Sequence, residues 1–408
     1  MDQGPGLDIP VGERIRFFRR GRTRVAVAQL AGISEDYLYE IEKGLKVPSV
    51  ATLYKLARIL NVPISAIFSE PDFPGQAGAP PSTSDLARAM VDFSTEEPSE
   101  PPDLDALGDR IASLHDTYQN SPTRFSDTAQ LLPRLIRDVG QATRAFRSPG
   151  EAEQRRHAYR LAADLYLLVK FYAKWLRPSD VMLMAADRGA FYAEAADDPA
   201  RLAVARWNLA QALSSNNEPE HAQHVALSAV EELRPETQRE GPGQRDAIAV
   251  SGMLHLMAAI CDVRLSDHWT GLRRVRENAL PLAQQVGSHN AFWTSFGPAN
   301  CQAYAISINM EAAEGVEALR LADDLDLSAL PSLERRATVL FTLARCHSYA
   351  NNDAATLLML LRLEREAPED LRYRRLTREL VRALLDRTRP TLMPEVRDLA
   401  RRIELIGS

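Results

Sequence analysis

Residues 23–44, TRVAVAQLAGISEDYLYEIEKG, constrain the fold more than any other stretch of this chain. Apolar side chains recur there at helical spacing, at Val27, Ala28, Leu30, Ala31, Leu38 and Ile41. This period predicts two short helices, each with one buried side. Gly32, between them, permits a tight turn that a residue with a Cβ resists. The stretch therefore predicts two helices joined by a tight turn.

Both predicted helices begin with capping residues. Thr23 and Ser34 can each accept a backbone N–H from the first turn of the helix that follows. Glu35 and Asp36 suit the positive end of the second helix. Three neighbouring segments complete a small bundle: GERIRFFRR (12–20), SVATLYKLARIL (49–60) and NVPISAIF (61–68).

Three motifs in this bundle identify a family. They are T-x-x-x-x-A-x-x-A-G-I-S from Thr23, Y-L-x-x-I-E-x-G from Tyr37 and P-S-x-x-T-L-x-x-L-A from Pro48. Together they resemble the Cro/C1-type (XRE) helix-turn-helix family. The resemblance implies a lambda-repressor-like DNA-binding domain over residues 11–70. The alternative is a helical bundle of the same shape that does not bind DNA.

The resemblance also implies which residues meet DNA, because the second motif helix of that family enters the major groove. Carried over by position, the contacts are Thr23, Arg24, Ser34, Glu35, Asp36, Tyr39, Glu40, Lys43 and Lys46. Lys43 and Lys46 fall at phosphate-contact positions. Two departures stand out: the base-facing positions are acidic, and Arg24 replaces a common glutamine. Arg19 and Glu42 form a candidate ion pair between helices.

The distribution of charge along the chain agrees with an N-terminal DNA-binding domain. The net charge of the whole chain is −6, yet the first 70 residues contain ten basic and eight acidic side chains. Six arginines lie close together there: Arg14, Arg16, Arg19, Arg20, Arg22 and Arg24. A basic front on an acidic chain is typical of a protein that binds nucleic acid through one domain.

Composition divides the rest of the chain. Residues 1–10 are a predicted disordered arm. Residues 71–102, with seven prolines, are a predicted linker because they cannot bury enough apolar surface to order themselves. Within the linker, SDLARAMVDF (84–93) has an amphipathic pattern, so it either docks as a helix on a neighbour or remains linker. Residues 103–408 form the remaining domain.

Residues 104–406 are predicted to be helical throughout, in pairs joined by short polar turns. The pairs are 151–176 with 179–196, 198–217 with 218–235, 245–265 with 268–287, 297–315 with 316–331, 334–352 with 353–370, and 371–389 with 391–406. One pair cannot bury its apolar side alone, so neighbours must stack. The pattern resembles degenerate tetratricopeptide repeats. The whole chain is therefore predicted to be all-α, with a TPR-like helical-repeat solenoid behind the bundle.

A Cro/C1-type domain joined to such repeats resembles two groups of regulators. One is the peptide-responsive regulators of Gram-positive bacteria. The other is the actinomycete XRE regulators with a repeat domain, which share FGPxN (Phe296, Gly297, Pro298 and Asn300) and an ERRA segment (334–337). The resemblance implies a double-stranded DNA operator, a homodimer formed through the repeats, and a peptide or small-molecule effector.

First helices of such repeats line a concave surface, where polar side chains can contact an extended ligand. By position the candidate ligand-binding residues are Lys170, Asn208, Gln211, His255, Phe296, Asn300, Tyr304 and Arg345. Each can equally be a solvated surface residue. The aromatic segment FWTSFGPAN (292–300) either packs one repeat against the next or lines a pocket.

Other classes of function have little support. Cys261, Cys301 and Cys346 lack metal-ligand spacing and are predicted to be buried free thiols. His221 and His224 stand three residues apart without an acidic third ligand. There is no phosphate-binding glycine loop or nucleophile elbow, and no apolar run or signal segment that indicates a membrane. We therefore expect a cytoplasmic protein that is not an enzyme and has no cofactor and no metal.

Three hypotheses follow from these patterns. The first is a transcriptional regulator whose repeats dimerise and sense an effector. The second is a helical-repeat adaptor that brings a protein partner to DNA. The third is a scaffold or antitoxin-like protein whose front domain no longer binds DNA, as the acidic recognition positions suggest. We adopt the first.

Overall fold

The computed structural model of this 408-residue chain describes residues 11–19, 22–43, 46, 48, 50–60, 83–91, 102–175 and 180–406. The chain divides into two compact units, Met1–Ala79 and Pro80–Ser408, called here the head and the body. Regular structure in the described residues is helical, apart from one isolated bridge between His289 and Phe296. The predicted all-α class is confirmed. The predicted arm and the closing segment 61–68 lie outside the described residues.

The described helices of the head are α1 Val11–Arg19, α2 Arg24–Ala31, α3 Glu35–Glu42 and α4 Val50–Leu60. Both predicted caps are present. The Thr23 hydroxyl accepts the N–H of Ala26 at 3.3 Å, and the Ser34 hydroxyl accepts the N–H of Tyr37 at 3.1 Å. Each cap satisfies a donor that has no partner within its own helix.

The turn between α2 and α3 depends on glycine. Gly32 has φ 67° and ψ 37°, and its N–H donates to the carbonyls of Ala28 and Gln29. This left-handed conformation strains residues that have a Cβ. Gly12 is needed for a different reason, because a Cβ there would lie 2.0 Å from the carbonyl oxygen of Ile41. The backbone of α1 therefore touches the end of α3 directly.

The core of the head forms from apolar side chains of all four helices. It contains Ile15, Val27, Ala28, Ala31, Leu38, Ile41, Leu53, Leu56, Ala57 and Leu60. Leu30 was expected on the same side of α2 but is 69% exposed. A helix turns by about 100° per residue, which places Leu30 outside the arc of Val27, Ala28 and Ala31.

The body continues the helical pattern to its end. Its helices are α5 Thr83–Val91, α6 Leu104–Asn120, α7 Arg124–Ala145, α8 Ala152–Ala173, α9 Asp180–Ala195, α10 Pro199–Ser215, α11 Pro219–Gln238, α12 Gln244–Arg264, α13 His268–Arg274, α14 Leu280–Val286, α15 Pro298–Glu311, α16 Gly315–Ala322, α17 Leu333–Tyr349, α18 Asp353–Glu366, α19 Pro368–Tyr373, α20 Arg375–Arg387 and α21 Met393–Arg402. A single π turn, Val275–Ala279, connects α13 to α14. The helix pairs from α8 onward follow those predicted from the sequence, except that α16 ends at Ala322 instead of 331 and α19 is a separate short helix after α18.

Helix α12 is the centre of the body. It is the one described helix that is long and apolar enough to cross a membrane, a property that we did not expect from the sequence. However, 83% of this apolar stretch is buried inside the body. Its composition is that of a core helix with apolar neighbours around most of its circumference.

The amphipathic segment in the predicted linker belongs to the body. As α5, it buries Leu86, Ala89 and Met90 in the same apolar core as α6 to α9. Arg188 of α9 also donates to the carbonyl of Met90 at 2.5 Å. The linker predicted over 71–102 is thus interrupted by a docked helix, and the body starts before residue 103. The pattern alone could not decide this because docking depends on a partner surface.

A buried ion pair joins two distant parts of the body. Arg124, at the start of α7, contacts both carboxylate oxygens of Asp370 in α19, at 2.7 and 2.8 Å. Arg374 donates to the same carboxylate at 2.9 Å, and Arg124 and Asp370 are fully buried. Burial alone would raise the pKa of the Asp370 carboxyl, but the two guanidinium charges hold it below its ordinary value.

Further contacts join the same two parts of the body. The Glu369 carboxylate accepts the backbone N–H of Phe125 at 2.7 Å and that of Ser126 at 3.1 Å. It therefore caps the N-terminus of α7 from a segment more than 200 residues later. Helix α17 also contacts α6. The repeats thus return to their own beginning, whereas an open solenoid contacts only its neighbours along the chain.

We predict that Asp370→Asn lowers the free energy of unfolding of the body by about 3–5 kcal/mol at pH 7, because two buried guanidinium groups lose their charge partner. The pKa of this carboxyl is depressed in the folded protein. Its contribution is therefore present above the unfolded pKa of about 3.9 and is lost as pH falls below it. Urea unfolding at pH 7 and near pH 3 measures both effects.

Glu364→Gln is the matched control. Glu364 binds Arg402 at 2.6 Å, but this pair is partly exposed to solvent. We expect a loss of less than about 1 kcal/mol for it. Equal losses for the two variants would contradict a central role for the buried pair.

Candidate nucleic-acid interface and effector site

Helix α3 has one buried and one exposed side. Leu38 and Ile41 are buried in the head, whereas Glu35, Asp36 and Tyr39 are exposed. The Gly32 turn and the Ser34 cap start the helix at the surface, so the outward side of its first two turns is accessible to solvent. This is the side that the sequence predicted to face bases.

Arg24, at the start of α2, holds α3 in place. Its Nε donates to Oε2 of Glu42 at 3.2 Å, and its Nη1 lies 3.9 Å from Oε1 of Glu35. Its guanidinium carbon lies 5.0 Å from the ring centroid of Tyr39. Residues 35, 39 and 42 share one side of the helix at i, i+4 and i+7. A single cation therefore contacts almost the full length of α3.

Glu42 is the anion at the centre of this arrangement. It is buried, and Arg19 of α1 donates to it from Nε at 2.7 Å while Arg24 approaches from α2. The Arg19–Glu42 pair predicted from the sequence is present. Because Glu42 is buried, removing one partner of this pair costs more stability than removing one partner of an exposed pair. Removing the carboxylate would leave two arginines without it.

The remaining predicted contacts line the same region. Lys43 ends α3 and is exposed. Lys46 is also exposed, but its Nζ lies 2.7 Å from Oε2 of Glu40. The hydrogen bond with Glu40 raises the pKa of Lys46 above its ordinary value. The oxygens of Thr23 and Ser34 accept cap hydrogen bonds, so their hydroxyl protons can still be donated to a phosphate.

The predicted ligand-binding residues of the body occupy several environments. Lys170, Asn208, Phe296 and Asn300 are buried, whereas Gln211, His255, Tyr304 and Arg345 are half-buried. Lys170 lies beside rings from two helices: its Nζ is 4.1 Å from the ring centroid of Phe171 and 5.5 Å from that of Trp207. Tyr304 packs under Arg335, with 5.2 Å between the guanidinium carbon and the ring centroid.

Asn208 and His255 have different neighbours from Lys170. Asn208 lines a cavity of about 10 Å³ together with Asp164 and Arg201, which is room for about one water molecule. His255 is on the side of α12 that faces Arg274 and Glu231. Burial, helped by the Arg274 charge, lowers the pKa of His255 to about 4.

The aromatic segment after α14 forms a folded loop. His289 and Phe296 pair through two backbone hydrogen bonds of 2.8 Å. Phe292, Trp293 and Ser295 have φ values of 46°, 57° and 59°, which is uncommon for residues other than glycine and most of all for the two large aromatic ones. Phe296 is fully buried against Gly252, where a Cβ would lie 2.0 Å from the ring. This contact favours the packing interpretation of the segment.

The same loop reaches α6. The ring of Trp293 stacks on His115 with 3.7 Å between centroids, and Gln119 donates to the carbonyl of Trp293 at 2.8 Å. Burial lowers the pKa of His115 to about 4, so this ring is neutral at pH 7. The loop therefore joins the first helices of the body to α12.

Sequence reasoning did not assign to the site four residues that lie beside Lys170 or act on the charge of Lys170 or Lys174: Lys174, Trp207, Glu334 and Arg335. One signal could have found the lysines. The chain has five lysines, and Lys170 and Lys174 are the only two after residue 80. They stand four residues apart, so they share one side of α8. A pair of lysines in an otherwise arginine-rich body indicates a specific use of the amine.

Two other features of the body have no part in the predicted site. A groove of about 590 Å³ lies among α9, α10 and α11, with Phe191 exposed in it, and none of the predicted ligand residues line it. The three cysteines are buried and free, as predicted. Across the described ranges, His, Cys, Asp and Glu form no group of three or more that could hold a metal ion.

The head is similar to known helix-turn-helix proteins. A family model described as HTH_3, Helix-turn-helix, matches residues 15–67. The immunity repressor protein of Bacillus phage phi105 is 40% identical over 62 residues, 15% of this chain and 43% of that protein. The uncharacterized HTH-type transcriptional regulator YazB of Bacillus subtilis (strain 168) is 43% identical over 53 residues, 12% of this chain and 77% of that protein. The chain thus spans less than half of the phage repressor.

A solved structure is similar over a longer range. It is Bacillus thuringiensis PlcR in complex with the peptide PapR7 and DNA, which matches 84% of this chain and 97% of that chain. Sequence identity is 12% and the TM-score is 0.35. At this level of similarity, nothing about ligands or assembly follows for the present chain.

We predict that Glu42→Gln destabilises the head by about 2 kcal/mol, because charge-assisted hydrogen bonds from Arg19 and Arg24 are lost. Amide hydrogen exchange in the full-length chain measures this locally, and the amides of α1 to α3 should exchange about 30-fold faster. Glu40→Gln is the matched control, since Glu40 pairs with Lys46 at the surface. Its effect should stay below about 1 kcal/mol. An equal effect of both substitutions would show that burial of Glu42 is unimportant.

Proposed function

This chain belongs to the XRE-type helix-turn-helix family of transcriptional regulators, and from that premise we propose that it binds operator DNA through the head and senses an effector through the body. One observation carries the proposal. The first two turns of α3 are exposed on a closed helical core, with Lys43 and Lys46 beside them. A short helix presented in this way fits the major groove.

The contacts divide by chemistry. Lys43 and Lys46 supply phosphate contacts, which give most of the affinity but little sequence information. Thr23 and Ser34 add hydroxyl donors at the ends of their helices. Tyr39 and Arg24 present a stacked pair at the centre of the surface.

The acidic residues of α3 have different roles in this proposal. Glu35 lies near Arg24 and Glu40 binds Lys46, so both are partly neutralised. Asp36 forms no ion pair with any residue that the structure describes. Its carboxylate is therefore the group best placed to accept from N4 of a cytosine. An acidic side chain at this position also rejects wrong sequences, since an unpaired carboxylate near bases and phosphates is costly.

We further propose that the body dimerises and transmits the effector signal. A dimer would set two heads on half-sites about 34 Å apart. In the described part of the body, several buried side-chain N and O atoms have no hydrogen-bond partner. Some of them belong to the predicted ligand-binding residues. An effector can change DNA affinity only if it binds one state of the dimer more tightly than another.

The central experiment is selection of duplexes from a random library by the full-length chain at low and at near-physiological salt. We expect one enriched sequence with two-fold symmetry and an affinity that falls steeply with salt. Enrichment of a site without symmetry would reject the dimer but keep the regulator. Absence of any preferred duplex would reject DNA recognition and favour a scaffold with an acidic, inactive head.

We predict that Lys43→Gln weakens binding to specific and unrelated duplexes alike and reduces the slope of log affinity against log salt by about 1. The reason is the loss of one phosphate contact. Lys55→Gln removes the same charge from an exposed position on α4 and should leave the slope unchanged. The same slope change in both variants would mean that net charge, not a contact, is responsible.

Asp36→Asn should act on specificity. We expect it to relax discrimination at one base pair by about 1–3 kcal/mol, and to bind unrelated duplexes as well as the unmodified chain or better. Competition with duplexes changed at single positions measures this. Uniform loss across all positions would assign Asp36 a structural role.

A further inference from the structure

Lys170 is an anomaly in the core of the body. It is fully buried, and its Nζ has no hydrogen-bond acceptor among the described residues. Its close neighbours include the rings of Phe171 and Trp207. Contact with rings offsets only part of the cost of removing an ammonium from water. A buried, unpaired lysine therefore points to a use that requires the amine.

The electrostatic setting of Lys170 agrees with this view. Burial lowers its pKa well below the ordinary value, the charge of Lys174 lowers it further, and Glu334 partly opposes both. Lys174 reaches solvent, yet desolvation by the protein around it lowers its pKa to about 8. The pair thus joins a fully buried amine to one that reaches solvent a single helical turn away.

Three other groups, on α10 beside α8 and at the start of α17, also lack an acceptor. In the described part of the chain, these buried N–H groups have no acceptor: Nε2 of Gln211, Nε1 of Trp207 and Nε of Arg335. With Nζ of Lys170, all four are donors. A set of donors without acceptors is what an anionic ligand satisfies, since a carboxylate offers about four lone-pair sites.

Helices α8, α10 and α17 carry these groups, and α8 and α10 contact each other. Trp207 of α10 packs beside Lys170, and Gln211 stands one turn further along α10 on the same side. From α17, Glu334 acts on the charge of Lys170, and Arg335 acts on that of Lys174. Aromatic rings border the set: Phe171, Trp207 and Tyr304.

We propose that Lys170, Gln211 and Arg335 bind the carboxylate of the effector, and that the rings of Phe171, Trp207 and Tyr304 hold an apolar part next to it. This rests on the proposed function, because it names the chemical class of the ligand that the body senses. The effector is an organic acid or a peptide with a free C-terminal carboxylate.

Glu334 has a defined role in this site. Its negative charge acts on Lys170, but its carboxylate makes no hydrogen bond with the Nζ of Lys170. Its Oε1 instead accepts from the Thr338 hydroxyl at 3.2 Å. Glu334 therefore competes with the ligand through repulsion. Because binding an anion favours the charged form of Lys170, ligand binding takes up a proton and weakens as pH rises.

The first test uses the full-length chain and three matched pairs of probes: hexanoate and hexanamide, indole-3-acetate and its amide, and the tripeptide Leu-Phe-Phe with a free or an amidated C-terminus. Melting temperature reports binding. We expect at least one acid to raise Tm while its neutral partner does not. The tripeptide pair separates a peptide source of the carboxylate from a free organic acid. Equal effects of acids and amides, or no effect of any acid, would overturn the proposal.

Variants then assign the contact. Lys170→Met should weaken binding of the active acid by about 10- to 100-fold, because a charge-assisted contact is lost. Lys55→Met, at an exposed position of the head, should leave acid affinity unchanged. Glu334→Gln should increase acid affinity, which a merely structural role of Glu334 would not produce. Unchanged affinity in Lys170→Met would overturn the assignment.

A second readout needs no ligand. Since the ammonium of Lys170 is buried without a partner, Lys170→Met should raise Tm of the ligand-free chain. A lower Tm would mean that Lys170 stabilises the fold through a partner, and would overturn its role as a ligand anchor. DNA binding is measured separately with the selected duplex. Acid binding without DNA binding would refute the proposed function alone, and DNA binding without acid binding would refute this site alone.

Discussion

The contact of Asp370 with Arg124 and Arg374 is the interaction on which the shape of the body depends. Two guanidinium groups and one carboxylate are buried together, and both cations stack on Trp175, with 5.9 and 4.6 Å between guanidinium carbon and ring centroid. Such a cluster tolerates little displacement, because any separation leaves charge unpaired in a medium of low dielectric constant. It holds a late segment of the repeats against their beginning.

The loop at 288–297 is a second connection of the same kind. It carries bulky residues in left-handed backbone conformations and places Trp293 on His115 of α6. Strain of this sort persists only where the surroundings compensate for it, as the burial of Phe296 against Gly252 does here. The two connections start from neighbouring ends of α6 and α7. Lys170 and its unpaired neighbours lie on helices that these connections hold together.

The head also contains a buried carboxylate that joins helices through two arginines. Glu42 is buried between Arg19 and Arg24, and Arg24 extends along α3 to Tyr39 and Glu35. An arginine that a family comparison would assign to DNA is therefore also a structural clamp. The same contacts lower the effective negative charge of α3. An acidic recognition helix becomes compatible with a polyanionic partner when neighbouring cations offset part of its charge.

Sequence alone determined the elements of this protein: the all-α class, the Thr23 and Ser34 caps, the Gly32 turn, the helix pairs and the Arg19–Glu42 pair. These depend on periodicity and local chemistry, which a single chain displays directly. Tertiary structure decided the rest. That α5 docks, that residue 124 meets residue 370, and that Trp207 packs beside Lys170 depends on the rotation and curvature of stacked helices. Small changes of angle accumulate over many repeats, and no local pattern records their sum.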